Sequence, residues 1–293
     1  MDVLIIDGDN LARRNYHAQH LSTIDGTETG LIYGVIASLL ALQLQHKAPL
    51  TVVVWDPPGG SKFRKSIFPL YKASRQSDPS YVEQKEACQD LLDAMGVLQI
   101  IKPGVEADDV MGFLAKRTFA GKRVGVVSND EDILQLIDER IEVISPTKGP
   151  IVPNRDGKIS IEKQGKVIWL RPDQVVSYKA MVGDSSDEYP GIPQFGMAAA
   201  IAYFSLNDNV DQLIAMEARV ENQSSRVLNN IRISLPLLPK FKTLAEINMT
   251  EGEVTLPERP AVHLEKVKAL FELYEFAQFS KMGSRVFCIG GTP

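Results

Sequence analysis

The chain has 293 residues, 44% hydrophobic and 24% charged, a formal net charge of −5 and two cysteines. This composition excludes a disordered tail, a disulfide-stapled miniprotein and a collagen-like repeat, and the length suits one large domain or two unequal ones. The opening residues carry acids, Asp2 and Asp7, where a secretory signal needs base, and the longest apolar stretch, 31–42, is too short to span a membrane.

A soluble, cytoplasmic protein with no membrane association is therefore expected. Cys88 and Cys288 lack CxxC or Cys/His spacing, which argues against structural zinc and for a reducing compartment.

In chain order, short Val- and Ile-rich runs at 3–6, 51–55, 98–101, 124–127 and 141–144 predict buried parallel strands. Helical spacing fills the gaps between them, at Leu31, Val35, Ile36, Leu39 and Leu40, and again at Val82, Cys88, Leu91, Leu92 and Met95, where Gly96 marks the stop. The alternation predicts an α/β fold, a doubly wound and mainly parallel sheet. The stretch 146–157, rich in Pro and Gly, predicts a loop or small hairpin. Pro172 suits a first helical turn, and beyond it the strand signal gives way to a mainly helical region. Gly191 and Gly196 bracket an expected tight hairpin between two helices. The expected division is 1–168 and 169–293.

Sheets of this kind bind ligands beyond the carboxyl ends of their strands, and four of the five predicted strands lead into acids. Asp7 and Asp9 follow the first run, Asp56 the second, Glu106, Asp108 and Asp109 the third, and Asp130 and Asp132 the fourth; Asp184 and Asp187 follow the helix begun at Pro172. Any one of them reads equally as a helix N-cap. Together they do not, because two carboxylates about 4 Å apart repel by roughly 4 kcal/mol at an effective dielectric of 20. A fold that converges them needs cations, and oxygen ligands without His or Cys select Mg²⁺ or Mn²⁺. Enough carboxylates for two ions points to in-line displacement at phosphorus.

The segment 57–77 carries Lys62, Arg64, Lys65, Lys72 and Arg75 and no acid, with Phe63, Phe68 and Tyr71 interleaved. That is the composition of an element whose cations track phosphates and whose rings stack on bases. Without the nine candidate ligands the chain would be +4, so its acidity reflects a cation site rather than a surface hostile to nucleic acid.

The ordered set of motifs resembles the 5′ nuclease family: the 5′-3′ exonuclease domain of bacterial DNA polymerase I and the phage and cellular flap endonucleases. The likeness rests on Asp7-Gly8 with Arg14 to Ala18, Trp55-Asp56 followed by Phe63-Arg64-Lys65 and by Tyr71-Lys72-Ala73-Ser74-Arg75, Glu106-Ala107-Asp108-Asp109, Asp130-Glu131-Asp132, and Arg171-Pro172-Asp173-Gln174 leading to Gly183-Asp184-Ser185-Ser186-Asp187. The resemblance implies a PIN-like, resolvase-like fold with a C-terminal helix-hairpin-helix region and a helical arch near 57–95. It implies one ion among Asp7, Asp56, Glu106 and Asp108 and a second among Asp132, Asp184 and Asp187, with Asp130 between and Asp109 supporting. Arg14, Lys72 and Arg75 would be the catalytic cations on the scissile phosphate and the 5′ strand, Tyr71 would stack on a base, and Lys62, Arg64 and Lys65 would hold the backbone. Gly191, Ile192 and Gly196 would grip duplex phosphate, with K⁺ as a candidate ion there. The implied activity is two-metal hydrolysis of phosphodiesters in DNA bearing a 5′ end, nick or flap, with RNA–DNA hybrids as further candidates, by a monomer.

Three departures stand out. Ala198 replaces a hairpin Lys, Glu188 replaces an Asn, and Asp9 is an additional acid with no assigned role. Two other readings compete. Asp7, Asp9, Ser128, Asp184 and Asp187 imitate the motif order of haloacid-dehalogenase-like phosphatases, a scheme that requires Asp184 at a strand end. A non-catalytic nucleic-acid-binding protein is disfavoured because no expected ligand is missing.

Overall fold

The computed structural model describes residues 1–76, 78–215, 226–281 and 289; Cys288 lies outside them. Five parallel strands, β1 (Val3–Asp7), β2 (Leu50–Trp55), β3 (Leu98–Ile101), β4 (Val124–Val127) and β5 (Ile141–Ser145), form the sheet with a short antiparallel β6 (Gly149–Ile151), in the order β3-β2-β1-β4-β5-β6. The five runs expected from the sequence are these strands, and the expected hairpin at 146–157 includes β6. A separate antiparallel pair, β7 (Ile159–Lys163) and β8 (Lys166–Leu170), was not foreseen. Its signal was Gln164-Gly165, both with positive φ (54° and 70°), the geometry of a two-residue hairpin turn.

Parallel strands covered on both faces alternate side chains between two apolar layers. Val3, Ile5, Val52, Val54, Val124 and Val126 enter one core, while Leu4, Ile6, Val53, Trp55 and Val127 enter the other. Helices α1 (Gly8–Ala18), α2 (Gly30–His46) and α4 (Pro79–Ala94) cover the second face. The first is covered by α5 (Ala107–Phe113), α6 (Val175–Val182) and the later helix Leu238–Ala245. A short α3 (Lys62–Ile67) precedes α4 within the basic segment. Strand order reverses between β1 and β4, which makes their carboxyl ends the switch point where such folds bind ligands.

The expected division at 168/169 falls inside β8. Phe241 and Leu244 share a continuous core with Val3, Ile5 and Val110, so the helical region shares the interior of the sheet region. No helix among the described residues is long and apolar enough to cross a membrane.

Gly8 opens α1 directly under the Trp55 ring. A Cβ there would lie 2.5 Å from two ring atoms, and Trp55 is fully buried, with its indole N–H donating to Gln99. Gly8→Ala is expected to lower the unfolding free energy by about 1–3 kcal/mol through overpacking, read by urea unfolding; an unchanged midpoint would show that the ring can shift.

Candidate metal centre and nucleic-acid interface

Each acid reaches the switch point because a local rule puts it there. Asp7 ends β1 and caps α1: Oδ1 accepts the Asn10 N–H (2.9 Å) and Oδ2 accepts the Ser128 hydroxyl (2.7 Å). Asp130 caps the 3₁₀ turn Glu131–Leu136 through the Asp132 N–H, and Ser128 accepts the Asp130 N–H. Asp56 accepts the Ala107 N–H at 2.8 Å, which ties the end of β2 to the first turn of α5. The cap reading and the cluster reading are thus both correct, since caps at one sheet edge are what gather the carboxylates.

Two sets of acids emerge, distinguished by their counterions. Burial raises Asp7 from its ordinary value to about 7, with Asp56 and Asp130 adding to it and the Asn10 and Ser128 hydrogen bonds opposing it. Burial, then Asp130, Asp7 and Asp56, push Asp108 well above the carboxylate range. Asp56 is raised by burial and Asp9. None of the ion pairs among the described residues reaches Asp7, Asp56, Asp108 or Asp130.

The second set is Asp132, Asp184 and Asp187, the only trio among the described residues that brings one carboxylate oxygen from each member within 4.8 Å of the others. Lys179 sits against Asp132 (2.7 Å) and Asp184. Burial would raise Asp184, but Lys179 and Ser186 outweigh it and hold the carboxyl at about 2. Burial lifts Asp132 to about 7 in spite of Lys179. All-carboxylate donors suit a hard divalent ion, and the Tyr189 hydroxyl, buried near Asp132 and Asp184 with no hydrogen-bond partner, is a free polar group for an ion's water. The residues present therefore fit a metal.

Glu106 belongs to neither set alone. Burial would raise its carboxyl, but Lys72 (2.5 Å) and Arg64 (2.8 Å) hold it below the usual range. Lys72 also faces Asp187 at 3.3 Å, and Arg75 reaches the Ser186 carbonyl and Asp187. The Lys72 N–H donates to the Asp187 carbonyl, and Ser74 donates backbone N–H and hydroxyl to Glu188. The basic turn at 71–75 is thus fastened to the acidic loop at 184–188, and Glu188 acquires a role as its fastener.

Three of the expected residues have other duties. Arg64 is only 3% exposed, with its guanidinium on Asp109 (2.7 and 2.8 Å), Glu106 and the carbonyls of Leu244 and Glu246. It cannot grip a nucleic-acid backbone. Asp109 is consumed by that pair and by the Asn248 N–H, so it supports the site only through Arg64. Tyr71 is 1% exposed and donates its hydroxyl to Asp187 (2.9 Å) and Glu106, so its ring is not open to a base. Ile192 is buried and its N–H is taken by the Met181 carbonyl, and Gly191 is buried too, whereas Gly196 is exposed. Arg14, Lys62 and Lys65 are exposed.

The sequence reading missed four residues. Asp9 accepts from Tyr81 (2.7 Å), Lys85 (2.8 Å) and the Asp56 N–H (2.8 Å), anchoring the end of β2 to α4. Tyr81, Lys85 and Lys179 carried no motif signal, being single polar residues, and Ser128 carried one only in the phosphatase motif order, not as a partner of Asp7. A cavity of about 650 Å³ opens between this anchor and the basic turn, lined by Asp9, Asp56, Lys65, Lys72, Arg75 and Lys85. Asp184 follows α6, not a strand, which removes the phosphatase motif order.

Two outcomes follow from the electrostatics. Removing Arg64 strands two buried carboxylates, so Arg64→Ala is expected to cost about 3–5 kcal/mol in urea unfolding, with most of it recovered in Arg64→Met/Asp109→Leu. A loss below about 1 kcal/mol would count against the pairing. Asp7 and Asp132, both raised, favour the fold while protonated, and this contribution is lost as pH rises through about 7. Asp184, held low, contributes throughout that window. In chelator the melting temperature is expected to fall from about pH 5 to 8, with divalent ions restoring it at the upper end; a flat profile in chelator would contradict the burial of these groups.

Residues 2–165 match the family described as 5′-3′ exonuclease, N-terminal resolvase-like domain. Thermostable DNA polymerase I of Thermus filiformis is 32% identical over 290 residues, 94% of this chain and 32% of that protein, so the chain spans about a third of the polymerase. A 5′-3′ exonuclease of Buchnera aphidicola subsp. Schizaphis graminum is 27% identical over 94% of this chain and 96% of its own length. Among solved structures, a bacteriophage T5 flap endonuclease variant, in a pseudo-enzyme–product complex with DNA and metal ions, shares the fold with a TM-score of 0.66 at 19% identity, covering 94% of this chain and 100% of that one. A chain that fits that description from residue 2 to 165, and aligns nearly end to end with a stand-alone exonuclease, belongs to the 5′-3′ exonuclease family.

Proposed function

We propose that the protein is a metal-dependent, structure-specific 5′ nuclease that hydrolyses phosphodiesters near 5′ ends, nicks or flaps in DNA. The observation that carries this reading is the convergence of buried Asp7 with half-buried Asp56, Asp108 and Asp130 at the switch point, none of the four in contact with a chain cation among the described residues. Bound divalent ions, Mg²⁺ or Mn²⁺, would supply an activated water and charge stabilisation at phosphorus. Asp7, Asp56, Glu106, Asp108 and Asp130 would hold one ion, and Asp132, Asp184 and Asp187 the other.

The chain's own cations bind and orient the strand. Lys72 and Arg75 stand between the cavity and the acids, where a scissile phosphate can exchange for their present carboxylate contacts. Arg14, Lys62 and Lys65 extend the positive surface. The segment 57–95 serves as the arch over the site, with α3 and α4 as its sides. Exposed Pro193, Gln194 and Gly196 offer a rim for duplex phosphate, and with Ala198 in place of a lysine that contact contributes little salt-dependent affinity. RNA–DNA hybrids fit the same surface, and the protein acts as a monomer in a reducing cytoplasm, where buried Cys88 stays a free thiol.

The test uses 5′-labelled flap, nicked and blunt duplexes, with a small phosphomonoester for comparison. Mg²⁺-dependent cleavage of the flap or nicked duplex is expected, abolished by chelator and reduced about a hundredfold or more in Asp108→Asn and Asp130→Asn. Phosphomonoester hydrolysis without DNA cleavage would overturn the reading.

A further inference from the structure

The two acidic sets differ in what already neutralises them. Five of the six oxygens in the Asp132, Asp184 and Asp187 trio have partners within the chain. Asp184 Oδ1 accepts the Ser186 N–H and hydroxyl (2.7 and 2.6 Å), Asp187 Oδ2 accepts Tyr71, and Asp187 Oδ1 faces Lys72 and Arg75. The other two, Asp132 Oδ1 and Asp184 Oδ2, both face Lys179 Nζ. Lys179 stands on α6 one turn before Gly183 and is 3% exposed, so its ammonium has little access to water and is held by these two carboxylates. The contact with Asp132 is an ion pair off the hydrogen-bond direction, so Asp132 Oδ1 keeps an unused acceptor site. The neighbouring Tyr189 hydroxyl is likewise unpaired, while its ring stacks on Phe241.

Resting on the two-centre reading above, we infer that Lys179 is a positioning residue, the resident counterion of the second acidic centre, which gathers Asp132 and Asp184 and competes with a divalent ion for their oxygens. The first centre, where Lys72 and Arg64 meet only Glu106 and the four aspartates meet no chain cation, takes its ion more strongly. The second takes one only as the Lys179 ammonium gives way. The lysine thereby sets a graded order of ion binding and keeps the trio assembled in between. A fixed positive charge within a few ångströms of a divalent ion opposes its binding strongly in a buried setting.

The experiment is Mn²⁺ titration of the intact protein without DNA, followed by the electron paramagnetic resonance signal of free Mn²⁺, alongside thermal melts with and without Mn²⁺. Wild type is expected to bind one ion tightly and a second weakly, and Asp184→Asn to lose the second. Lys179→Met should tighten the second ion about tenfold or more. It should also lower the metal-free melting temperature and enlarge the Mn²⁺-induced rise. Lys179→Arg should behave as wild type, and Lys179→Gln provides a neutral replacement that keeps a donor should the Met variant fold poorly. A second ion that binds equally in wild type, Lys179→Met and Lys179→Gln, while Asp184→Asn still abolishes it, overturns the role of Lys179 and leaves the nuclease reading standing. Mn²⁺ binding indifferent to Asp184→Asn overturns the second centre itself.

Discussion

Mutual repulsion among buried carboxylates is the constraint around which this molecule is arranged. The sheet's order brings the ends of β1, β2 and β4 to one crevice, and each end delivers an acid. Helix capping lowers the cost of part of that charge, because a carboxylate at a helix N-terminus meets unpaired N–H groups and the positive end of the macrodipole. Caps cannot neutralise the whole set. The remainder is answered by internal cations around Glu106 and the Asp132 trio, and at Asp7, Asp56 and Asp108 by raised proton affinity.

The internal cations tie distant segments of chain to the crevice. Arg64 draws α3 onto α5 and the 244–246 backbone, Lys72 joins Glu106 to Asp187, and Lys179 joins the 3₁₀ turn after β4 to the loop after α6. Charge that would otherwise drive the edge apart becomes the means by which the basic segment and the helical region are positioned. The same contacts leave Lys65 and Arg75 exposed on the lining of the cavity beside the acids.

Much of this was legible in the sequence. The strands could be read because runs of Val and Ile have few other uses at that length, and the acids because they recur just beyond each run. Misreadings arose where a residue's partner lay far along the chain. Arg64 and Tyr71 sit in a segment whose composition resembles a nucleic-acid grip, but their fates are decided by Asp109, Glu106 and Asp187, tens of residues away. Composition records charge and not the direction a side chain faces. Lys179 went unnoticed for the same reason: a lone lysine on a short helix looks solvated until the loop after it folds back. The β7–β8 hairpin was readable from Gln164-Gly165 and the alternation of Ile159 and Ile161, a period-2 pattern too short to compete with the helical signal that follows.

The grip of Arg64 on the carbonyls of Leu244 and Glu246 spans about 180 positions of sequence. During vectorial synthesis, N-terminal strands can pair as they leave the ribosome. The start of the arch, by contrast, has no fixed seat until the Leu238–Ala245 helix emerges and docks against the sheet. Nascent chains would therefore carry every candidate acid while lacking an assembled cleft, which forms only after residue 245 has been made.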